Sequence, residues 1–158
     1  MAVESEALRD AMSRFPTGVT VVSSVGPGGP AGATANAVAS LSLEPPMLLA
    51  CLDLGSRTLV AIEHARVFAV NVLSGDQAHL ARRFSTKDPH PEKWDGVDWR
   101  ERAGTPMIEG ALMWLACELR DVHDGDDHAI VTGRVFELDA GGDGAPLVYF
   151  EGEYRPLG

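Results

Sequence analysis

The stretch GATANAVASLSLEPP, Gly32 to Pro46, decides how this chain is read. Taken with period two, its even positions are Thr34, Asn36, Val38, Ser40 and Ser42, and its odd positions are Ala33, Ala35, Ala37, Ala39, Leu41 and Leu43. That alternation is the pattern of a half-buried strand. Alanine, serine and asparagine are nonetheless poor strand formers, because they offer little to pack on a pleated surface. The run therefore predicts a strand with space beside its backbone. A large flat ligand lying close to that backbone is one candidate to fill it.

The flanking sequence extends this reading in both directions. Upstream, TGVTVVSSV is rich in β-branched residues and ends in the turn cluster GPGGP, which predicts a hairpin with the small-residue strand. Further upstream, Glu4 to Phe15 places Ala7, Leu8, Ala11, Met12 and Phe15 on one face of an amphipathic helix closed by Pro16. Downstream, Pro45-Pro46 breaks the strand and MLLACLDL reads as a buried third one. SRTLVAIEH predicts a short helix, VFAVNVL a buried strand, and Asp76 the cap of a helix running to Phe84 with Leu80, Ala81 and Phe84 inward. From Ser85 to Pro106 no period is visible, as expected of a long lid or binding loop. LMWLACELRDV, HAIVTGRVFEL and PLVYFEGEYR return to strand. About six to eight strands, mostly following one another, with two or three short helices, predict a mostly β, closed antiparallel barrel and not a doubly wound sheet. A single domain over residues 1–158 is expected.

Composition narrows the function classes. The chain has 158 residues, 45% apolar and 23% charged, with a formal net charge of −10. Such a surface repels phosphate backbones, so no nucleic-acid partner is expected, although a compact basic pocket for one phosphate is compatible with it. Cys51 and Cys117 each sit in an apolar run and read as small buried hydrophobes, not as a disulfide pair. The opening VESEALRDAM is charged, unlike a signal peptide, and no apolar run reaches membrane-spanning length. The expectation is a cytoplasmic protein with no membrane partner.

Three clusters carry possible chemistry. In GSRTLVAIEH, Ser56 and Thr58 flank Arg57 where a helix begins. Free N–H groups, hydroxyls and a guanidinium suit a phosphate, while the same residues also make an ordinary N-cap beside an exposed arginine. RRFSTKD, Arg82 to Asp88, reads either as a second anion site or as a helix end whose cations offset the macrodipole. HDGDDH, His123 to His128, crowds two imidazoles and three carboxylates together. Its spacing matches neither a zinc pattern nor a calcium loop, so an acidic hairpin turn is expected and no metal. His128 faces either a pocket or solvent. No G-x-S-x-G, P-loop or dinucleotide-binding glycine fingerprint is present.

Taken in order, FPTGVTVVSS, GATANAVASLSLEPPMLLACLD, SRT, FAVNVLSGDQAHLARRFS, KWDGVDW, GTPMIEGALMWLACEL, DDHAIVTGRV and PLVYFEGEYR resemble the flavin reductase-like proteins with the FMN-binding split-barrel fold. The likeness spans nearly the whole chain, and T-A-N followed by S-x-S-x-x-P-P is its most specific part. The resemblance implies a split β-barrel of Greek-key-like antiparallel strands. It implies an NAD(P)H:flavin oxidoreductase that reduces FMN or FAD with NADH, or with NADPH, and supplies reduced flavin to a partner monooxygenase. It implies a homodimer. Carried over by position, Thr34, Ala35, Asn36 and Ser40 face the flavin ring, and Cys51 and Leu52 add main-chain contacts. Ser56, Thr58, Phe84, Ser85 and Lys87 hold the phosphate end, while His128 and, secondarily, Tyr154 serve the nicotinamide. Here Gly125 and Asp126 precede Asp127 and His128, a departure from the family's G-D-H, and the added carboxylate opposes a 2′-phosphate and leans toward NADH. No protein acid or base is required, because the chemistry belongs to the cofactors. Two other readings stay open: a tightly held flavin acting as electron carrier or oxidase, and a non-catalytic flavin- or haem-binding module.

Overall fold

In the computed structural model, which describes residues 2–87 and 90–157, the small-residue run is two strands and not one. β3 (Gly29–Ala35) ends at Ala35, and β4 (Val38–Leu43) begins two residues beyond Asn36-Ala37. β3 pairs antiparallel with β2 (Thr20–Gly26), the predicted hairpin, in a register that sets Val22 opposite Ala33. β4 pairs instead with β5 (Pro46–Asp53). Between them the seven-stranded sheet runs β3-β2-β6-β9-β10-β5-β4, with β6 Val67–Val72, β9 Met113–Gly125 and β10 His128–Asp139. β3 and β4 are thus its opposite edges, yet only two residues join them. Consecutive Cα atoms lie about 3.8 Å apart. The edges must therefore meet, and the sheet closes into a barrel at Asn36-Ala37.

Packing on both faces explains why β2 and β6 do not alternate. Val22, Phe68, Val70 and Cys117 share one core cluster with Leu48, Ala50, Leu52 and Val131, while Val19, Val21 and Leu73 belong to a second cluster outside the barrel wall. Strands covered on both faces are apolar on both. Helix α2 (Arg57–Ala65) enters the first cluster through Leu59 and Ile62. Asn71, fully buried in β6, satisfies its amide completely: Nδ2 donates to Val21 O and Ser23 Oγ, and Oδ1 accepts from Ile108 N.

The remaining elements refine the sequence-based expectations. The N-terminal helix is α1 (Ser5–Met12), and its apolar face is uncovered, with Leu8, Met12 and Phe15 each more than half exposed. β1 (Thr17–Gly18) joins β11 (Leu147–Phe150) and β12 (Glu153–Pro156) in a small sheet. Helix α3 (Ala78–Phe84) buries Leu80, Ala81 and Phe84 as expected, but its cap position is Gln77. Asp76 instead accepts from Ser74 Oγ at 2.5 Å. The segment read as irregular holds α4 (His90–Lys93) and a hairpin of β7 (Trp99–Arg102) and β8 (Thr105–Ile108). Elements of four residues are too short to show a period. Trp94 fixes this segment, packed edge-on against Phe84 (4.8 Å between centroids, planes inclined 65°) and tilted 60° against Trp99 (5.1 Å). Asp88, which ends the RRFSTKD run, lies outside the described residues.

Candidate functional site

Where β3, β5, α2 and the end of α3 converge, a cleft of about 350 Å³ opens. That is within the range of small-ligand sites, roughly 300–1,000 Å³. Ala33 and Thr34 of β3 form one wall, Cys51, Leu52 and Asp53 of β5 another, and Ser56, Arg57 and Thr58 the start of α2. Phe84, Ser85, Thr86 and Lys87 close the end beyond α3, and Lys93 and His128 also line the cleft.

Local sequence builds the α2 end. Asp53 Oδ1 accepts from Gly55 N at 2.8 Å, which turns the chain out of β5. Ser56 then takes an extended conformation and caps the helix, its hydroxyl oxygen accepting from Thr58 N at 3.1 Å. Thr58 is fully buried, and its Oγ1 has no hydrogen-bond partner among the described residues. A buried hydroxyl left without a partner costs about 1–3 kcal/mol. Here it sits in the first turn of α2, where main-chain N–H groups leave a positive end of the helix dipole. Among the described residues that line the cleft, Arg57, Lys87 and Lys93 are basic and Asp53 is acidic. A chain of net charge −10 has therefore gathered positive charge into one hollow. The donor set fits a phosphate-bearing ligand.

The opposite wall serves two purposes. Gly32 is small because the protein fills that space itself: a Cβ there would stand 2.9 Å from the Phe84 ring and 3.0 Å from Trp94. One residue on, Thr34 Oγ1 donates to Ala81 O at 2.6 Å, tying β3 to the last turn of α3. Lys93, only 6% exposed, reaches the same strand from below, its Nζ donating to Gly32 O at 3.4 Å. The open part of the wall is Ala33 and Thr34. Past α3 the hydroxyls are engaged within the chain, Ser85 Oγ donating to Arg82 O at 2.7 Å and Thr86 Oγ1 to Arg83 O at 2.8 Å.

His128 opens β10 opposite Asp53 of β5, close to the turn that leads into α2. Its Nδ1 lies 2.8 Å from Asp127 Oδ1, and its side chain is about half exposed (46%). The preceding turn has Asp126 in the left-handed region, φ 64°. Among the described residues no three histidine, cysteine or acidic side chains are grouped to hold a metal ion.

The cleft thus brings together Thr34, Cys51, Leu52, Ser56, Thr58, Phe84, Ser85, Lys87 and His128 of the residues named from sequence. Four others stand elsewhere. Ala35 is buried in the barrel core. Asn36 sits at the barrel seam, its Oδ1 shielded and without a partner among the described residues. Ser40 is on the exposed edge strand β4. Tyr154 packs on Tyr149, centroids 5.1 Å apart, beside the second core cluster, and burial pushes its phenol above the ordinary tyrosine range. Sequence reasoning did not single out Lys93 as a site residue. Nothing local marks it, because only the fold brings it under Gly32.

Comparison with known proteins identifies the family of the chain. The model of the flavin reductase like domain matches residues 12–158. The chain is 38% identical over 157 residues to the flavin-dependent monooxygenase reductase subunit HsaB of Rhodococcus jostii, covering 99% of this chain and 80% of that protein. Its fold matches the Streptomyces globisporus NADH:FAD oxidoreductase SgcE6 with a TM-score of 0.89 at 34% identity, covering 100% of this chain and 98% of the other. It also matches BorF, the flavin reductase component of a bacterial two-component tryptophan halogenase, with a TM-score of 0.90 at 35% identity and 98% of each chain covered. From its closed barrel, its cationic cleft and these likenesses, the chain belongs to the flavin reductase-like family.

Proposed function

We propose that residues 1–158 act as one NAD(P)H-dependent flavin reductase domain that reduces a diffusible flavin, FMN or FAD, and passes it to a partner monooxygenase. The observation that carries this reading is the unpartnered, fully buried Thr58 hydroxyl at the α2 N-terminus, facing a cleft with Arg57, Lys87 and Lys93. A flavin, when bound, supplies the hydride-accepting ring. The reduced nicotinamide cofactor would supply the hydride, and the chain binds and orients the two. Ser56, Thr58 and the α2 dipole hold the phosphate, Lys87 and Lys93 neutralise it, and Ala33 and Thr34 leave the flat part of the ligand against backbone. Cys51 and Leu52 line the facing strand. His128 receives the nicotinamide cofactor, and no protein side chain moves a proton. The carboxylates of Asp126 and Asp127 beside it oppose a 2′-phosphate, which favours NADH.

Two further parts of the reading rest on the fold. The uncovered apolar face of α1, with Leu8, Met12 and Phe15, fits a homodimer contact. A cytoplasmic place of action is part of the same proposal; no helix among the described residues is long and apolar enough to cross a membrane. The deciding experiment mixes purified protein with NADH and an excess of free FMN or FAD. Sustained NADH oxidation over many turnovers is expected. A yellow protein that reduces its own flavin once and stops would establish a carrier, and a colourless inert one a binding module.

A further inference from the structure

The two arginines of RRFSTKD part company at the end of α3. Arg82 is exposed, while Arg83 is half-buried and reaches the end of α4. Its Nε donates to Lys93 O at 2.6 Å and its Nη2 to Glu92 O at 2.5 Å. Both oxygens stand at the C-terminal end of α4, where a helix leaves carbonyls without intrahelical donors, and the guanidinium fork meets two of them at once. The next residue of α3, Phe84, packs on the next residue of that segment, Trp94, at 4.8 Å between centroids. Arg83 and Phe84 thus grip residues 92–94 from one helix. That helix is itself anchored: Ala81 and Phe84 are buried, and Thr34 Oγ1 donates to Ala81 O at 2.6 Å.

We infer that Arg83 is a positioning residue for flavin binding: it stands outside the cleft and fixes the backbone from which Lys93 enters it. This rests on the flavin reading of the cleft. Lys93 lines the cleft, and Arg83 is not among the described residues that do. Lys93 is buried against β3, its Nζ donating to Gly32 O at 3.4 Å. A lysine side chain carries about 2 kcal/mol of rotamer entropy, so its ammonium keeps one place only while the backbone beneath it is held. Arg83 supplies that hold at the Lys93 carbonyl itself. Its two partners are neutral oxygens, so these bonds orient a segment and do not neutralise a carboxylate. A cation that only offset the dipole of α3 would need neither bond, and the exposed Arg82 is enough for that.

The test is steady-state NADH oxidation at varied FMN for wild type, Lys93→Met, Arg83→Met, the double variant of these two, and Arg83→Gln. Lys93→Met should raise the FMN KM about tenfold, as loss of one hydrogen bond to a charged group does. Arg83→Met keeps the stem and loses both donors; it should raise the FMN KM about fivefold and leave the NADH KM within about twofold. Because Arg83 acts through Lys93, the double variant should match Lys93→Met at about tenfold and fall short of the roughly fiftyfold of two independent losses. Arg83→Gln puts an N–H donor where Nε stands and carries no charge, so its FMN KM should stay within about twofold of wild type. Losses that multiply in the double variant would overturn the inference. So would a wild-type FMN KM in Lys93→Met or Arg83→Met, or a loss in Arg83→Gln equal to that in Arg83→Met. In each of these cases continued turnover of flavin leaves the cleft reading intact. Should Arg83→Met fail to fold, Arg83→Gln decides: a wild-type FMN KM supports positioning by hydrogen bonds, and a loss as large as that of Lys93→Met overturns it. Absence of turnover by wild type with either FMN or FAD would overturn the cleft reading and this inference with it.

Discussion

The Cβ that Gly32 lacks would stand 2.9 Å from the ring of Phe84, so the end of α3 is seated directly on the backbone of β3. Phe84 also lines the cleft, which makes this glycine a determinant of the site wall. Gly32→Ala must push the Phe84 and Trp94 rings outward. Overpacking of this kind costs about 1–3 kcal/mol. We expect a lower urea midpoint together with a raised flavin KM and a nearly unchanged KM for NADH. A variant as stable as wild type with wild-type flavin KM would mean that the ring is not held there.

Thr58 and Ser56 should separate binding from stability. Thr58→Val keeps the shape of the side chain and removes a buried hydroxyl without a partner. The ligand-free protein should be as stable as wild type or more so, because the desolvation penalty disappears. Flavin affinity should fall roughly tenfold, the worth of a hydrogen bond to a charged group. Ser56→Ala removes the α2 cap and should cost about 1 kcal/mol even without ligand. Denaturation in the absence of flavin and flavin titration of each variant check the contrast. Thr58→Val that destabilises and binds normally would contradict the assignment.

His128 should affect the two substrates unequally. Its ring is half exposed where β10 opens beside Asp53, and it lines the cleft. His128→Ala is expected to raise the NADH KM about five- to tenfold, one hydrogen bond's worth, with flavin binding unchanged. Asp126→Asn should narrow the preference for NADH over NADPH. Equal loss toward flavin and NADH would count against placing the nicotinamide at His128.

Burial gives the fold an alkaline weakness. The Cys117 thiol, fully buried between β6 and β10, is pushed up from the ordinary 9.0 to about 12 by loss of solvation. Its contribution is complete below pH 9.0, where the thiol is neutral in both states. Above that, the unfolded chain loses its proton first, so stability falls as pH rises toward about 12. The slope is about 1.4 kcal/mol per pH unit. Urea unfolding between pH 8 and about 11 should show this slope in wild type and a shallower one in Cys117→Ala. Parallel slopes would exclude the thiol as its source.

What the sequence determined by itself was local. The β-branched run before GPGGP specified the β2-β3 hairpin, Gly55-Ser56 and Thr58 specified a capped helix start, and the acidic turn before His128 specified the tip between β9 and β10. Each of these depends on neighbours a few residues apart, whose backbone preferences survive in any tertiary setting. The family motifs pointed to nine residues that line the cleft and to Ala35, Asn36, Ser40 and Tyr154, which stand outside it. Only the tertiary structure decided that GATANAVAS is cut at Asn36-Ala37, because the cut arises from two distant sheet edges meeting and not from any strand-breaking residue. It also decided that Gly32 makes room for Phe84 and Trp94 while Ala33 and Thr34 face the cleft, and that buried Lys93 lies beneath them. Those pairings join residues far apart in the chain, and packing between them leaves no period or spacing in the sequence to read.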